Sequence, residues 1–329
     1  LKTCLIARYG AYGDMMHCSH LPKLIKEHFK VDHVTFETSD RGIDILLGNP
    51  FIDKLYHIDT NKVTNGELIS RWNYHKDSYD MFFNLMHTIE SGYCLLETDM
   101  AYYRNDKYRR ENFGNINYYD VMTEACGLPE SYFGTRGQLY YGDGCHKDAE
   151  AWIANHKKKT NSTYLILICL SGSSLHKRFQ QAKSVAYKIL EKYKDASIVL
   201  TGDKDCLEDV FEHERVSSKV AVWNFRTVAL MSKYFDLVIS PETGLVCVSH
   251  SWDTPTIQLL TAASWDNHIK YANNAYWVQS EAYCSPCHKS PQRYYGCPTK
   301  ERLPLCVFFD EDKIMAKVEE AYEHSVANA

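Results

Sequence analysis

Short apolar runs alternate with helix-like stretches along most of this chain, and a chain patterned this way folds around parallel sheets. Parallel neighbours cannot be joined by tight hairpins, so each pair needs a crossover long enough for a helix. In the first half the strand-like runs are Cys4 to Tyr9, His33 to Thr38, Lys54 to Ile58 and Tyr79 to Leu85. In the second they are Tyr164 to Leu170, Ser197 to Thr201, Val220 to Trp223, Leu237 to Ser240 and Thr256 to Leu260. Helices such as Gln180 to Tyr193 and Thr227 to Tyr234 lie between them. Between the halves, Asn155 to Ser162 turns polar, with Lys157, Lys158 and Lys159 in a row, and the linker is placed there. The expectation is an α/β chain of two Rossmann-like doubly wound domains, 1–157 and 158–329. In such sheets ligands sit beyond the carboxyl ends of the strands, so the loops that follow these runs are where chemistry belongs.

Composition narrows the function classes. The 329 residues are 45% apolar and 24% charged, which excludes disorder and fibrous repeats. The most apolar run, Tyr164 to Leu170, is far shorter than the roughly 18 residues a membrane-spanning helix needs, so no transmembrane segment is expected. A net charge of -5 supplies no global basic field and disfavours indiscriminate nucleic-acid binding. Leu1-Lys2-Thr3 runs straight into a strand without an apolar leader-like stretch, and most of the 12 cysteines are scattered singly. Several of these, such as Cys4 and Cys169, lie inside apolar runs. Both features predict a cytoplasmic, reducing location.

Three strand-end loops carry candidate chemistry. Gly10-Ala11-Tyr12-Gly13-Asp14 follows the first strand; its glycines permit close backbone approach, and Asp14 falls near a helix start, where it is either a cap or a catalytic carboxylate. This turn has too few glycines for a dinucleotide fingerprint, so a nicotinamide cofactor is not supported. Ser171-Gly172-Ser173-Ser174-Leu175-His176-Lys177-Arg178 gathers small hydroxyl residues, backbone N–H groups and cations, which suits a diphosphate or forms a solvated turn. Ser240-Pro241-Glu242-Thr243-Gly244-Leu245 precedes a helix-like stretch, so Thr243, Gly244 and Leu245 offer N–H groups to a phosphate and Glu242 can accept sugar hydroxyls. Asp203-Lys204-Asp205 could pass for a metal-binding carboxylate pair, but its place after Thr201-Gly202 predicts a helix cap.

Taken in order, these segments resemble glycosyltransferase family nine, the heptosyltransferase-like family of the GT-B fold. The matching text is Ile6-Ala7-Arg8 with Tyr12-Gly13-Asp14 and Pro22, Leu170 to Lys177, Val199-Leu200-Thr201-Gly202, and Ser240 to His250 with Pro255. The resemblance implies inverting transfer of a sugar, typically heptose from ADP-heptose, at a cleft between two Rossmann-like domains. It implies Asp14 as general base, Lys177 as phosphate-binding lysine and Thr243 to Leu245 as backbone donors to the diphosphate. It implies no metal for the chemistry. The family usually has Asp where Glu242 stands, one methylene longer, which leaves the donor sugar open. The acceptor can be a saccharide, a protein or a nucleic acid. A nucleic-acid sugar transferase and a non-catalytic nucleotide-sugar-binding module are the alternatives to the leading reading.

Near the end, Cys284, Cys287, Cys297 and Cys306 form C-x2-C-x9-C-x8-C. Four thiolates at such spacing can close a tetrahedral Zn or iron site, with His288 a substitute ligand; the alternative is free thiols in a loop. The resemblance favours the metal, because the chain is similar to a subset of the family that glycosylates proteins and has an iron-binding cysteine cluster.

Overall fold

The computed structural model describes residues 1–89, 100–172, 174–289, 297 and 303–327. The chain divides into two compact units, Leu1–Tyr93 with Ile116–Tyr141, and Cys94–Asn115 with Gly142–Ala329. Each has its own parallel sheet. In the first, β1 (Thr3–Ala7), β2 (His33–Thr38), β3 (Lys54–His57) and β4 (Met81–Asn84) lie in the order β3-β2-β1-β4. In the second, β5 (Tyr164–Cys169), β6 (Ala196–Thr201), β7 (Val216–Ser218), β8 (Leu237–Pro241), β9 (Thr256–Leu260) and β10 (Ala275–Gln279) lie in the order β10-β9-β8-β5-β6-β7. That is the dinucleotide-fold order 3-2-1-4-5-6, whose direction reverses between β5 and β8. The first sheet reverses likewise between β1 and β4. Every strand residue of β5 and β6 is buried, as expected of central parallel strands covered on both faces. No helix among the described residues is long and apolar enough to cross a membrane.

The polar stretch expected to be a linker is helical. Asp143–Thr160 is one helix, and the expected boundary at 157/158 falls inside it. Only Ala149 and His156 of this helix are buried, so its sequence carries little apolar periodicity. Lys157, Lys158 and Lys159 occupy its last turn, where they complement the negative end of the helix, and Asn161 ends it with φ 48°. Residues on either side of the helix Asp106–Phe113 also depart from a simple half-and-half division, because this helix belongs to the second unit.

Two strand assignments change. Val220 to Trp223 is a turn; the strand lies earlier, at Val216–Ser218. Ala221 adopts φ 56° and Val222 is 68% exposed, so this short run is not extended, and Val220, at 2% exposure, is the residue that joins the core. The edge strand Ala275–Gln279 is additional. Its Tyr276 and Val278 pack on the core of the second unit while Trp277 stays exposed.

Candidate functional site

In the second unit, the loops after β5 and β8 meet at the point where strand order reverses. Gly172 is the wedge between them: a Cβ built there would lie 2.8 Å from Thr243 Cγ2 and 3.2 Å from both Cβ and Cδ of Lys177. Only a residue without a side chain lets the two loops approach this closely. The Gly172 amide donates to the Lys177 carbonyl at 3.0 Å, closing the first loop on itself. Ser240 Oγ and Thr243 Oγ1 are 2.9 Å apart across the second loop. The Cys169 thiol at the end of β5 sits against both hydroxyls; burial pushes it up to about 11, so it stays neutral.

The helix Gly244–Ser251 begins with Thr243 as its N-cap. Val246 N–H turns back to the Thr243 carbonyl at 3.1 Å, whereas Gly244 and Leu245 present amides at the helix start. Leu245 is 2% exposed as a whole residue, and its side chain belongs to the core. Among the described residues, the Lys177 ammonium has no ion-pair partner. Ser174 Oγ lies 2.9 Å from His176 Nδ1, and burial, with the neighbouring Lys177 charge, holds that imidazole well below its ordinary value and therefore neutral. Ser173 lies outside the described residues.

Glu242 is engaged by the protein itself. It is 6% exposed, and its Oε1 accepts the amides of Thr261 at 2.6 Å and Ala263 at 3.0 Å. Burial raises its pKa; the Lys177 charge and the two amides oppose that rise without cancelling it. The side chain therefore braces the loop after β9.

In the first unit, Asp14 lies in the short helix Tyr12–Met16 that follows β1, also beside a strand-order reversal. Its Oδ2 accepts the Ala11 amide at 2.8 Å, and its Oδ1 lies 3.7 Å from Nη2 of Arg8, which is fully buried. A Cβ on Gly10 would meet Oδ2 at 2.8 Å, so the glycine makes room for the carboxylate. The side chain remains 29% exposed. Asp14 is thus a helix cap and, at the same time, an oriented carboxylate open to solvent.

Behind this loop is a network that sequence reasoning missed. Glu37, at 0% exposure, accepts from Tyr9 Oη, from Arg71 Nε at 2.6 Å and lies 3.0 Å from His75 Nε2. Its backbone carbonyl accepts the Arg8 amide at 3.1 Å. Tyr9 immediately precedes the Gly10–Asp14 turn, so the network anchors the start of that loop. The available signal was an acid near the end of a strand-like run expected inside a parallel sheet, where a buried carboxylate demands partners.

The expected cap at Asp203 is present: its Oδ1 accepts the Asp205 amide at 3.0 Å. Of the cysteine cluster, Cys284 is buried and Cys287, Cys297 and Cys306 are half-buried. Burial pushes the Cys287 thiol up to about 11 and raises Cys284 and Cys306, and the thiols add to each other's shifts. Residues 290–296 and 298–302, which connect them, lie outside the described residues. Two arginines of the helix Asp106–Phe113 hold the start of this segment: Arg109 Nε donates to the Cys287 carbonyl at 2.7 Å and Arg110 Nη2 to the Tyr283 carbonyl at 2.8 Å.

No family model matches the chain, and no curated protein matches it by sequence. Solved structures do. A glycosyl transferase family 9 protein from Veillonella parvula is 14% identical, covers 97% of each chain and gives a TM-score of 0.66. The ADP-heptose lipopolysaccharide heptosyltransferase II of E. coli is 12% identical, covers 98% of each chain and gives 0.63. The iron-containing dodecameric glycosyltransferase TibC of enterotoxigenic E. coli is 10% identical, covers 98% of this chain and 78% of that one, and gives 0.62; it is also solved with ADP-D-beta-D-heptose. At these identities the likeness is one of fold, and the similar structures belong to the family that the ordered motifs resemble.

Proposed function

We propose that the chain is an inverting glycosyltransferase that moves a heptose-like sugar from a nucleoside diphosphate donor, ADP-heptose by preference, to an acceptor hydroxyl. The observation that carries this reading is the close approach of Lys177 and Thr243, the residue that opens the helix Gly244–Ser251, on either side of Gly172, at the reversal point of a dinucleotide-order sheet. A diphosphate is the ligand whose charge suits an ammonium beside a helix N-terminus. The similar structures include enzymes crystallised with ADP-heptose and ADP.

In the transfer, Asp14 takes the proton of the acceptor hydroxyl as its oxygen attacks the anomeric carbon. The bond from that carbon to the diphosphate oxygen breaks, and the electron pair leaves with the nucleoside diphosphate. Lys177 and the Gly244 and Leu245 amides offset the charge that grows on the leaving group, a role that requires no metal. Incubation with ADP-heptose and a panel of saccharide, protein and DNA acceptors tests the reading by mass spectrometry of the products. Tight donor binding without ADP release on any acceptor would favour a binding module instead; a modified DNA product would favour the nucleic-acid reading.

We propose Cys284, Cys287, Cys297 and Cys306 as ligands of a structural Zn or iron ion on the chemistry of the donor type alone, because soft thiolates select these metals and a cation relieves their mutual repulsion; among the described residues no three of these sulfur atoms gather within 4.8 Å of one another. Elemental analysis should find about one ion per chain, and chelation should lower the melting temperature, since structural-site binding contributes to folding. A metal-free chain of unchanged stability and activity leaves four ordinary thiols.

A further inference from the structure

The Thr261–Ala263 segment after β9 is held from both sides. Its amides at Thr261 and Ala263 donate to Glu242. Its carbonyls are taken by the segment that follows β10: Ser285 Oγ donates to the Thr261 carbonyl at 2.6 Å, and the His288 amide donates to the Ala262 carbonyl at 2.8 Å. Gln279 Nε2 reaches the carbonyls of Leu260 at 3.2 Å and Ala263 at 3.3 Å, and Ser285 Oγ at 2.9 Å. Ser285 is fixed in turn by Arg110 Nη2, 3.2 Å from its carbonyl.

We infer that Gln279 and Ser285 are positioning residues for the donor-binding loop, acting through Thr261–Ala263 and the Glu242 carboxylate. This rests on the proposed donor role of Thr243–Leu245. The logic is one of connectivity. Glu242 directly precedes the helix cap Thr243, so whatever fixes its side chain also fixes the direction in which the Gly244 and Leu245 amides point. A buried carboxylate keeps its place only while both amides remain aligned on it. Those amides belong to a short loop whose own carbonyls depend on Gln279 and Ser285. The cysteine-bearing segment is thus mechanically continuous with the site, although Ser285 itself is placed on the far side of the Thr261–Ala263 segment from Glu242.

The test uses the full chain with Ser285→Ala, Ser285→Thr and Gln279→Met, reading ADP affinity by calorimetry and amide exchange in the free protein. Ser285→Ala should weaken ADP by about fivefold, the worth of one neutral hydrogen bond, and should speed exchange at Thr261 and Ala263. Ser285→Thr, which keeps the hydroxyl, should restore both. Gln279→Met should act in the same direction and serves if Ser285→Ala does not fold. Wild-type ADP affinity in a folded Ser285→Ala, or exchange that quickens near position 285 and not at Thr261 and Ala263, overturns the inference. If the wild-type chain itself binds no ADP, the donor reading fails, and the exchange measurement alone then decides whether the linkage exists.

Discussion

The two sheets place a carboxylate in the same topological position and surround it in opposite ways. Asp14 lies in the short helix after the first strand of its unit, and Glu242 in the loop after β8 of the other; each stands beside a reversal of strand order. Each accepts backbone amides. Asp14 accepts one from its own turn and keeps a side-chain exposure of 29%, with the buried Arg8 guanidinium 3.7 Å away. Glu242 accepts two from a neighbouring loop through a single oxygen and is 6% exposed. A group that exchanges a proton with an incoming hydroxyl must be reachable, and one that fixes a loop must not be pulled away by solvent. Position in the fold brings each carboxylate beside a strand-order reversal, and exposure separates the one that solvent can reach from the one committed to the protein.

The largest test of this contrast is Asp14→Asn. It should lower kcat by about a hundredfold or more, the usual contribution of a general base, with ADP affinity nearly unchanged. The amide oxygen can still cap Ala11, so the loss reports chemistry and not folding. Unaltered turnover would mean that Asp14 is only the cap it visibly is. Lys177→Ala should come next, with kcat/KM down by about tenfold to a hundredfold and weaker ADP binding, because in the proposed reading its charge would meet phosphate before and during the transfer. Normal kinetics would remove Lys177 from the site.

The sequence made the strand-end loops legible because glycine, small hydroxyl residues and a helix start leave local signatures. It made the parallel sheets legible because strands such as Tyr164–Cys169 are apolar throughout. What stayed hidden depends on contacts far apart in sequence. The Glu37 network joins Tyr9, just past β1, to β2 and the helix Asn65–Ser78, with no local motif to announce it. The helix Asp143–Thr160 buries so little that its composition reads as a linker. The edge strand Ala275–Gln279 leaves Trp277 40% exposed, which blunts its pattern. The brace formed by Glu242 could not be read either, since a Glu before a helix cap has the same local text whether it faces a sugar or a loop.

A smaller effect is expected from Gly172→Ala. The new methyl would press on Thr243 Cγ2 and the aliphatic stem of Lys177, and a turn of Thr243 to make room would break its 2.9 Å contact with Ser240. Overpacking of this kind costs about 1–3 kcal/mol, and here it should also loosen ADP severalfold because it pushes apart the two loops that would hold the diphosphate. Calorimetry and thermal melts measure the two losses; a stable variant that binds ADP normally would show that the loops can separate without consequence.

The smallest change separates the two carboxylates by charge alone. Glu242→Gln keeps an oxygen for the Thr261 and Ala263 amides and removes the ionisable group. Burial raises the Glu242 pKa above its ordinary 4.5, so the folded chain holds this proton more tightly than the unfolded one. Its contribution to stability is therefore fully present below 4.5 and is lost as pH rises through the folded value. The substituted side chain carries a neutral amide at every pH, so the variant should gain stability relative to the wild type as pH climbs from 4.5, and the gain should level off once Glu242 is fully ionised. Denaturant titrations of both chains across that range measure the difference. A variant that falls further behind the wild type with rising pH would mean that Lys177 and the two amides outweigh burial, and that Glu242 is held in place by its charge as well as by its shape.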